Sequence, residues 1–184
     1  VMKNLFLMRH AKSKWNENVS DQFRSITEIG EFKTKKIANY IHQNFELKFD
    51  KIFSSKAVRA KETSLLVKPI LFPNQTIHIE DDLYTFSHYL LDKWIRNLDN
   101  ELQNVLIFGH NPAFTDITNQ LGNEMIYNLS TSGFVWIQFY SDNWKSIEKG
   151  KKLENSKRSE HNTILNNQRF KGEIKRKIKN YMYN

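Results

Sequence analysis

A chain of 184 residues with 39% hydrophobic and 13% aromatic content is long enough for one domain with a sizeable core. Having no cysteine, it can form neither disulfides nor thiolate metal sites, and no apolar stretch nears the roughly 18 residues that would mark a membrane span. The net charge of +8 is concentrated in residues 145–184, which hold 12 Lys/Arg against 4 Asp/Glu and leave 16 of each sign before them, so this is a neutral domain with a basic extension.

The first predicted element is a buried strand over residues 4–8, and its apolar run ends directly in Arg9-His10. That run is shorter than the apolar core of a signal peptide and charge follows it at once, so a cytoplasmic location is expected. Residues 15–24 read as a polar loop. Ser25-Ile26-Thr27-Glu28 has capping-box spacing and opens a helix to about Phe45, with Ile29, Phe32, Ile37, Tyr40, Ile41 and Phe45 roughly on one face. A second strand over 49–53 runs into Ser54-Ser55-Lys56-Ala57-Val58-Arg59. The helix from about Lys56 to Val67 is expected to stop before Pro69. A weak strand over 76–79, a helix over 85–98 and a strong strand over 104–108 follow, the last running into Gly109-His110. Asn111-Pro112 reads as an N-cap with proline at the first helical position of a helix to about Leu121, and a strand over 134–140 closes the core. Strands alternating with helices predict an α/β fold, a three-layer α/β/α sandwich around a mainly parallel central sheet.

Open α/β sheets bind ligands outside the carboxyl ends of their strands, which is where Arg9, His10, Arg59 and His110 fall. Two arginines and two histidines converging on one rim suit a phosphoryl group, with its charge spread over several oxygens. The glycines at 30, 109, 122, 133, 150 and 172 allow neither a P-loop nor a dinucleotide fingerprint, and HExxH and G-x-S-x-G patterns are absent. Phosphate chemistry in this chain must therefore come from side chains. Ser54 and Ser55 are read as turn and cap residues. His42, His78, His88 and His161 match no motif and are read as surface or packing residues.

At Leu7-Met8-Arg9-His10-Ala11-Lys12-Ser13 the sequence begins to resemble the histidine phosphatase superfamily, which has the phosphoglycerate mutase-like fold. Asp50-Lys51-Ile52-Phe53-Ser54-Ser55, Arg59-Ala60-Lys61-Glu62-Thr63 and Gly109-His110-Asn111-Pro112 sharpen the resemblance to the small SixA-type phosphohistidine phosphatases. Asp21, Arg24, Thr27, Glu28 and Gly30 fit that group's D..RPLTE.G pattern, although Ser25-Ile26 replaces its Pro-Leu. The resemblance covers roughly residues 3–150. It implies that His10 is the nucleophile, that Arg9 and Arg59 bind phosphoryl oxygens and that His110 supplies another donor. Like charge from the two arginines would also disfavour the His10 imidazolium and keep the attacking nitrogen unprotonated. Asn16 is carried over as a polar substrate contact, and Ser13 lies on the same loop as a second candidate.

A general acid is not evident. Relatives acting on phosphate esters often use a Glu where this chain reads Glu80-Asp81-Asp82-Leu83-Tyr84, and Asp82 is the best substitute in that segment. The basic extension, residues 155–184 after a domain of 1–154, places Phe170, Ile174, Ile178 and Tyr181 at helical spacing. That stripe would either dock on the domain or meet an acidic partner. The expected activity is that of a phosphatase needing neither metal nor organic cofactor, acting on phosphohistidine in signalling or phosphotransfer proteins. Small phosphate esters, or binding of phosphoproteins without turnover, are the alternatives. Expected partners are a phosphorylated protein or small phosphorylated substrate; nucleic acid is not expected, nor a membrane beyond weak contact through the tail.

Overall fold

The computed structural model describes residues 2–16, 18–122, 125–148 and 163–165. Its elements are β1 (Met2–Arg9), α1 (Glu28–Asn44), β2 (Lys51–Ser55), α2 (Val58–Leu71), β3 (Ile77–Glu80), α3 (His88–Arg96), β4 (Asn104–Gly109), α4 (Ala113–Leu121), β5 (Phe134–Tyr140) and β6 (Thr163–Leu165). Three-residue 3-10 turns lie at Asp21–Phe23 and Asp81–Leu83. The sheet order is β3-β2-β4-β1-β5-β6. The first four of these strands are mutually parallel, while β5 runs antiparallel to β1 and β6 antiparallel to β5. This is the α/β sandwich expected from the sequence. The amphipathic stripe proposed at Phe170, Ile174, Ile178 and Tyr181 lies outside the described residues.

The near-continuous apolar runs of β1 and β4 are explained by burial on both faces. Successive side chains on a strand point to opposite sides. Leu5 and Leu7 accordingly join Val105, Ile107, Val135 and Ile137 in a core with Leu91, Ile95, Phe114 and Ile117 of α3 and α4. Phe6 and Met8 face the other way, into a core with Ile52, Leu106, Phe108 and Phe134 and with Ile37, Ile41 and Val67 of α1 and α2. Among the described residues, no helix is long and apolar enough to cross a membrane.

The third helix is shorter than the expected 85–98, running His88–Arg96, and three other helix boundaries also differ from expectation. The first helix is capped by Thr27, whose side chain accepts from the Gly30 N–H at 3.0 Å, rather than by Ser25. Ser25 is instead held in a short antiparallel contact, its carbonyl accepting from Lys14 N at 2.9 Å. The second helix runs through Pro69 to Leu71. Proline removes the bond to the carbonyl four residues back, that of Leu65, which lies on the exposed side where water can replace it. The fourth begins at Ala113, one residue later than expected, with Pro112 at the cap position after a cis Asn111-Pro112 bond. Asn111 still caps it, its Oδ1 accepting from Thr115 N at 3.1 Å.

Candidate active site

The register Arg9↔Gly109 between β1 and β4 brings Arg9-His10 and His110 side by side at one edge of the sheet. The backbone fixes them there. His10 N donates to Gly109 O at 3.1 Å, Arg9 N to Gly133 O at 3.0 Å, and Ser132 N to His10 O at 3.1 Å. Ser132 sits at φ 59°, an uncommon left-handed conformation for a residue with a Cβ. Its hydroxyl is bonded to that of Thr34 at 2.7 Å.

His10 is 7% exposed, and its Nδ1–H donates to the carbonyl of Ala11 at 2.7 Å. That contact assigns the ring proton to Nδ1 and the lone pair to Nε2. Arg59 Nε donates to this Nε2 at 3.3 Å. Burial, followed by the charges of Arg59, Arg9 and Arg24, lowers the His10 pKa to about 3 against the opposing effect of the Ala11 contact. Nε2 of His10 is thus free of a proton throughout the neutral range.

Residues 59–63 explain why this segment carries a signal. On one face of α2, Arg59 reaches the site, Glu62 Oε2 accepts from Ile26 N at 2.8 Å, and Thr63 Oγ1 accepts from Ala11 N at 2.9 Å. Positions three and four apart on a helix share a face, so one turn both supplies a cation and holds the loop after His10. Gly30 lets α1 approach that loop, because a Cβ there would lie 2.6 Å from the Lys12 carbonyl oxygen.

His110 is 1% exposed and its ring centre lies 5.3 Å from that of His10. Its Nε2 is bonded to Ser55 Oγ at 2.8 Å. Ser55 Oγ also accepts from Ala57 N at 3.2 Å, and in the tautomer where its own proton goes to Nε2 the His110 proton sits on Nδ1. That Nδ1 is buried without a partner among the described residues, as is Arg9 Nε, while Arg9 Nη1 donates to Leu129 O at 2.8 Å. Buried donors of this kind are costly unless something accepts from them. An anion's oxygens would satisfy both. Burial, then His10 and Arg59, depress the His110 pKa to about 2, and burial with Arg59 lowers that of Arg9.

Two residues outside the expected site set complete the cluster. Asp21 accepts from Arg24, Arg59 and Tyr84. Burial raises its pKa, but the hydrogen bonds from Tyr84, Arg24 and Arg59 prevail and hold the carboxyl well below its usual range. Tyr84 and Phe86 set their rings 5.4 Å and 5.7 Å from that of His110, both in edge-on geometry. Of the remaining candidates, Ser13 is buried and accepts from Arg24 Nη1 at 2.6 Å, so it holds an arginine. Asn16 is exposed on the loop beside Trp15, whose 80% exposed ring stacks on the Arg24 guanidinium at 3.8 Å. Asp82 is exposed in the second 3-10 turn. The structure brings Arg9, His10, Arg59 and His110 together and leaves Asn16 and Asp82 outside their hydrogen-bond network. Among the described residues, no three His, Cys, Asp or Glu side chains group as metal ligands do.

Residues 5–87 match the sequence model of the histidine phosphatase superfamily (branch 1). That match takes in a little under half of the chain, including Arg9, His10 and Arg59. No curated protein matches the chain. Among solved structures, the chain is similar to the protein histidine phosphatase SixA complexed with tungstate at 22% identity, covering 74% of this chain and 88% of that one with a TM-score of 0.65. A SixA-type protein of Agrobacterium tumefaciens aligns at 24% identity over 74% and 92% of the two chains, TM-score 0.66. The alpha-ribazole phosphatase of Shigella flexneri aligns at 16% identity over 81% and 99%, TM-score 0.58. Likeness at such identities is a likeness of fold.

Proposed function

We propose that this chain is a cytoplasmic, metal-independent phosphatase that dephosphorylates phosphohistidine in a signalling or phosphotransfer protein. The observation that carries the reading is the His10 ring, with its proton committed to Ala11 and its Nε2 lone pair set beside Arg59. In this reading Nε2 attacks phosphorus in line, the new P–N bond forms as the substrate's bond to phosphorus breaks, and the leaving group departs with that bond's electron pair. Arg9, Arg59 and the Nδ1–H of His110 hold the three peripheral oxygens, a task a two-metal enzyme gives to its ions. Water then hydrolyses the phosphohistidine enzyme and releases inorganic phosphate.

The choice of substrate rests on the absence, among the described residues, of a carboxylic acid engaged with His10 or His110. An alkoxide leaving group has a conjugate acid of pKa about 15, close to water, and needs a proton as it departs, whereas a neutral imidazole has a conjugate acid of pKa about 6.5. Asp21, the carboxyl bonded to Arg59, is held ionised, which supports the P–N substrate. The test is kcat/KM for a phosphohistidine peptide against a simple alkyl phosphate. Turnover of the phosphohistidine peptide is expected to be faster by orders of magnitude. Equal or faster cleavage of the alkyl phosphate, abolished by Asp82→Asn, would reject this substrate class in favour of small esters, and tight phosphopeptide binding without turnover would leave a binding module.

A further inference from the structure

Asp21 has more polar contacts in the site than any residue read as chemical. Its Oδ1 accepts from Arg24 Nε at 3.1 Å and Nη2 at 2.9 Å, and its Oδ2 from Arg59 Nη2 at 2.9 Å and Tyr84 Oη at 2.5 Å. Its backbone carbonyl accepts from Arg59 Nη1 at 2.6 Å. Both terminal nitrogens of Arg59 are therefore tied to one residue, and two-point attachment fixes the plane of a guanidinium that four rotatable bonds would otherwise leave free. The edge left facing His10 Nε2 is Nε, at 3.3 Å.

A carboxylate here is a liability to anion binding if charge alone is counted, because it opposes the field of Arg59 and Arg24 at the point where a phosphoryl group would enter. An anion pocket that retains it gives up field strength, and what it obtains in return is geometry. We propose that Asp21 is a positioning residue, which sets the plane of Arg59 against His10 Nε2 and holds Arg24 and Tyr84 in the same frame before substrate arrives. The proposal rests on reading the site as a phosphoryl pocket. Geometry and charge predict opposite results, which makes the role testable.

The experiment measures binding of inorganic phosphate by calorimetry, and kcat and KM on a phosphohistidine peptide, for the wild type, Asp21→Glu and Asp21→Asn, with thermal melts to confirm folding. Asp21→Glu keeps the charge and displaces the carboxylate by one methylene. A misplacement near 1 Å can cost about 100-fold in rate. The expected result is phosphate binding weakened at least about fivefold and kcat reduced at least about tenfold in Asp21→Glu. The isosteric Asp21→Asn, which retains one acceptor oxygen, should lose kcat less than the Glu variant does. Wild-type behaviour in Asp21→Glu, with tighter phosphate binding and unchanged kcat in Asp21→Asn, is the outcome of charge acting alone and overturns the proposal. If Asp21→Glu fails to fold, unchanged kcat in Asp21→Asn overturns it and reduced kcat supports it. A wild type that binds phosphate and turns over no phosphorylated substrate refutes the phosphatase reading alone, since the Glu variant's loss of phosphate affinity still reports the positioning role. A wild type that does not bind phosphate overturns both.

Discussion

Replacing Thr63 by valine tests whether the α2 face acts as the support of the loop after His10. Valine has nearly the shape of threonine, and Thr63 is fully buried, so packing is preserved and one hydroxyl is lost. That hydroxyl accepts from Ala11 N at 2.9 Å and donates to the Arg59 carbonyl at 2.6 Å. The second bond is dispensable, because the Arg59 carbonyl lies within a helix. The first is not, since Ala11 is itself fully buried and its N–H would be left without an acceptor. An unsatisfied buried donor costs about 1–3 kcal/mol. For a domain of this size each kcal/mol moves the melting temperature by roughly 2–4 °C, so a fall of about 2–12 °C is expected. The Ala11 carbonyl also holds the Nδ1 proton of His10, so a shifted loop misaims Nε2, and kcat should fall by about tenfold or more. Differential scanning calorimetry and steady-state kinetics measure the two effects, with Thr63→Ser as the variant that keeps the hydroxyl and most of the activity. A Thr63→Val protein with wild-type melting temperature and wild-type kcat would refute the reasoning.

Arg59→Lys keeps the charge and loses the fork; with charge-assisted bonds worth about 1.5–3 kcal/mol each, the loss of one or two in the transition state should lower kcat/KM by roughly 10²–10³-fold, measured on the phosphohistidine peptide. Wild-type kinetics in that variant would mean that a point charge suffices. Both site histidines have folded-state pKa values lowered from 6.5, His10 to about 3 and His110 to about 2. Below pH 6.5 the unfolded chain therefore binds more protons than the folded one, and the stability present above that pH drains away as pH falls towards 3. Urea midpoints measured between pH 7 and 4 should decline, and decline less in His10→Gln. A midpoint that rises over that interval would contradict the lowered pKa values. Chelation by EDTA should leave turnover unchanged, and loss of activity restored by Zn²⁺ or Mg²⁺ would show that a metal is required.

Where the chain's signals are local, they bring the candidate residues to one edge of the sheet. The apolar runs ending in Arg9-His10 and Gly109-His110 are buried strands because they are apolar on both faces, and parallel register aligns their ends without further information. The three shifted helix boundaries have a common cause, namely that several residues compete for one role and tertiary contacts choose among them. Thr27 takes the cap that spacing offered to Ser25, since Ser25 is engaged with Lys14. Pro69 continues α2 because the carbonyl it deprives lies on the solvent side. Asp21 was legible as part of a pattern but not as the partner of Arg59, from which it is separated by 38 residues of chain. Tyr84 carries no signal of its own in the sequence, and only the fold places its hydroxyl on Asp21 and its ring against His110. Ser54 and Ser55 are not turn residues but the last two of β2, and the Ser55 hydroxyl both accepts from Ala57 N and is bonded to His110.

The central claim is that His10 carries the phosphoryl group in a covalent intermediate. Rapid quenching of the enzyme with a ³²P-labelled phosphohistidine peptide, in parallel at acid and neutral pH, tests it directly. Label should be retained on the wild-type protein after the neutral quench, be lost in acid as a phosphoramidate is, and be absent from a folded His10→Ala variant. Acid-stable label, or label undiminished in His10→Ala, would contradict the account.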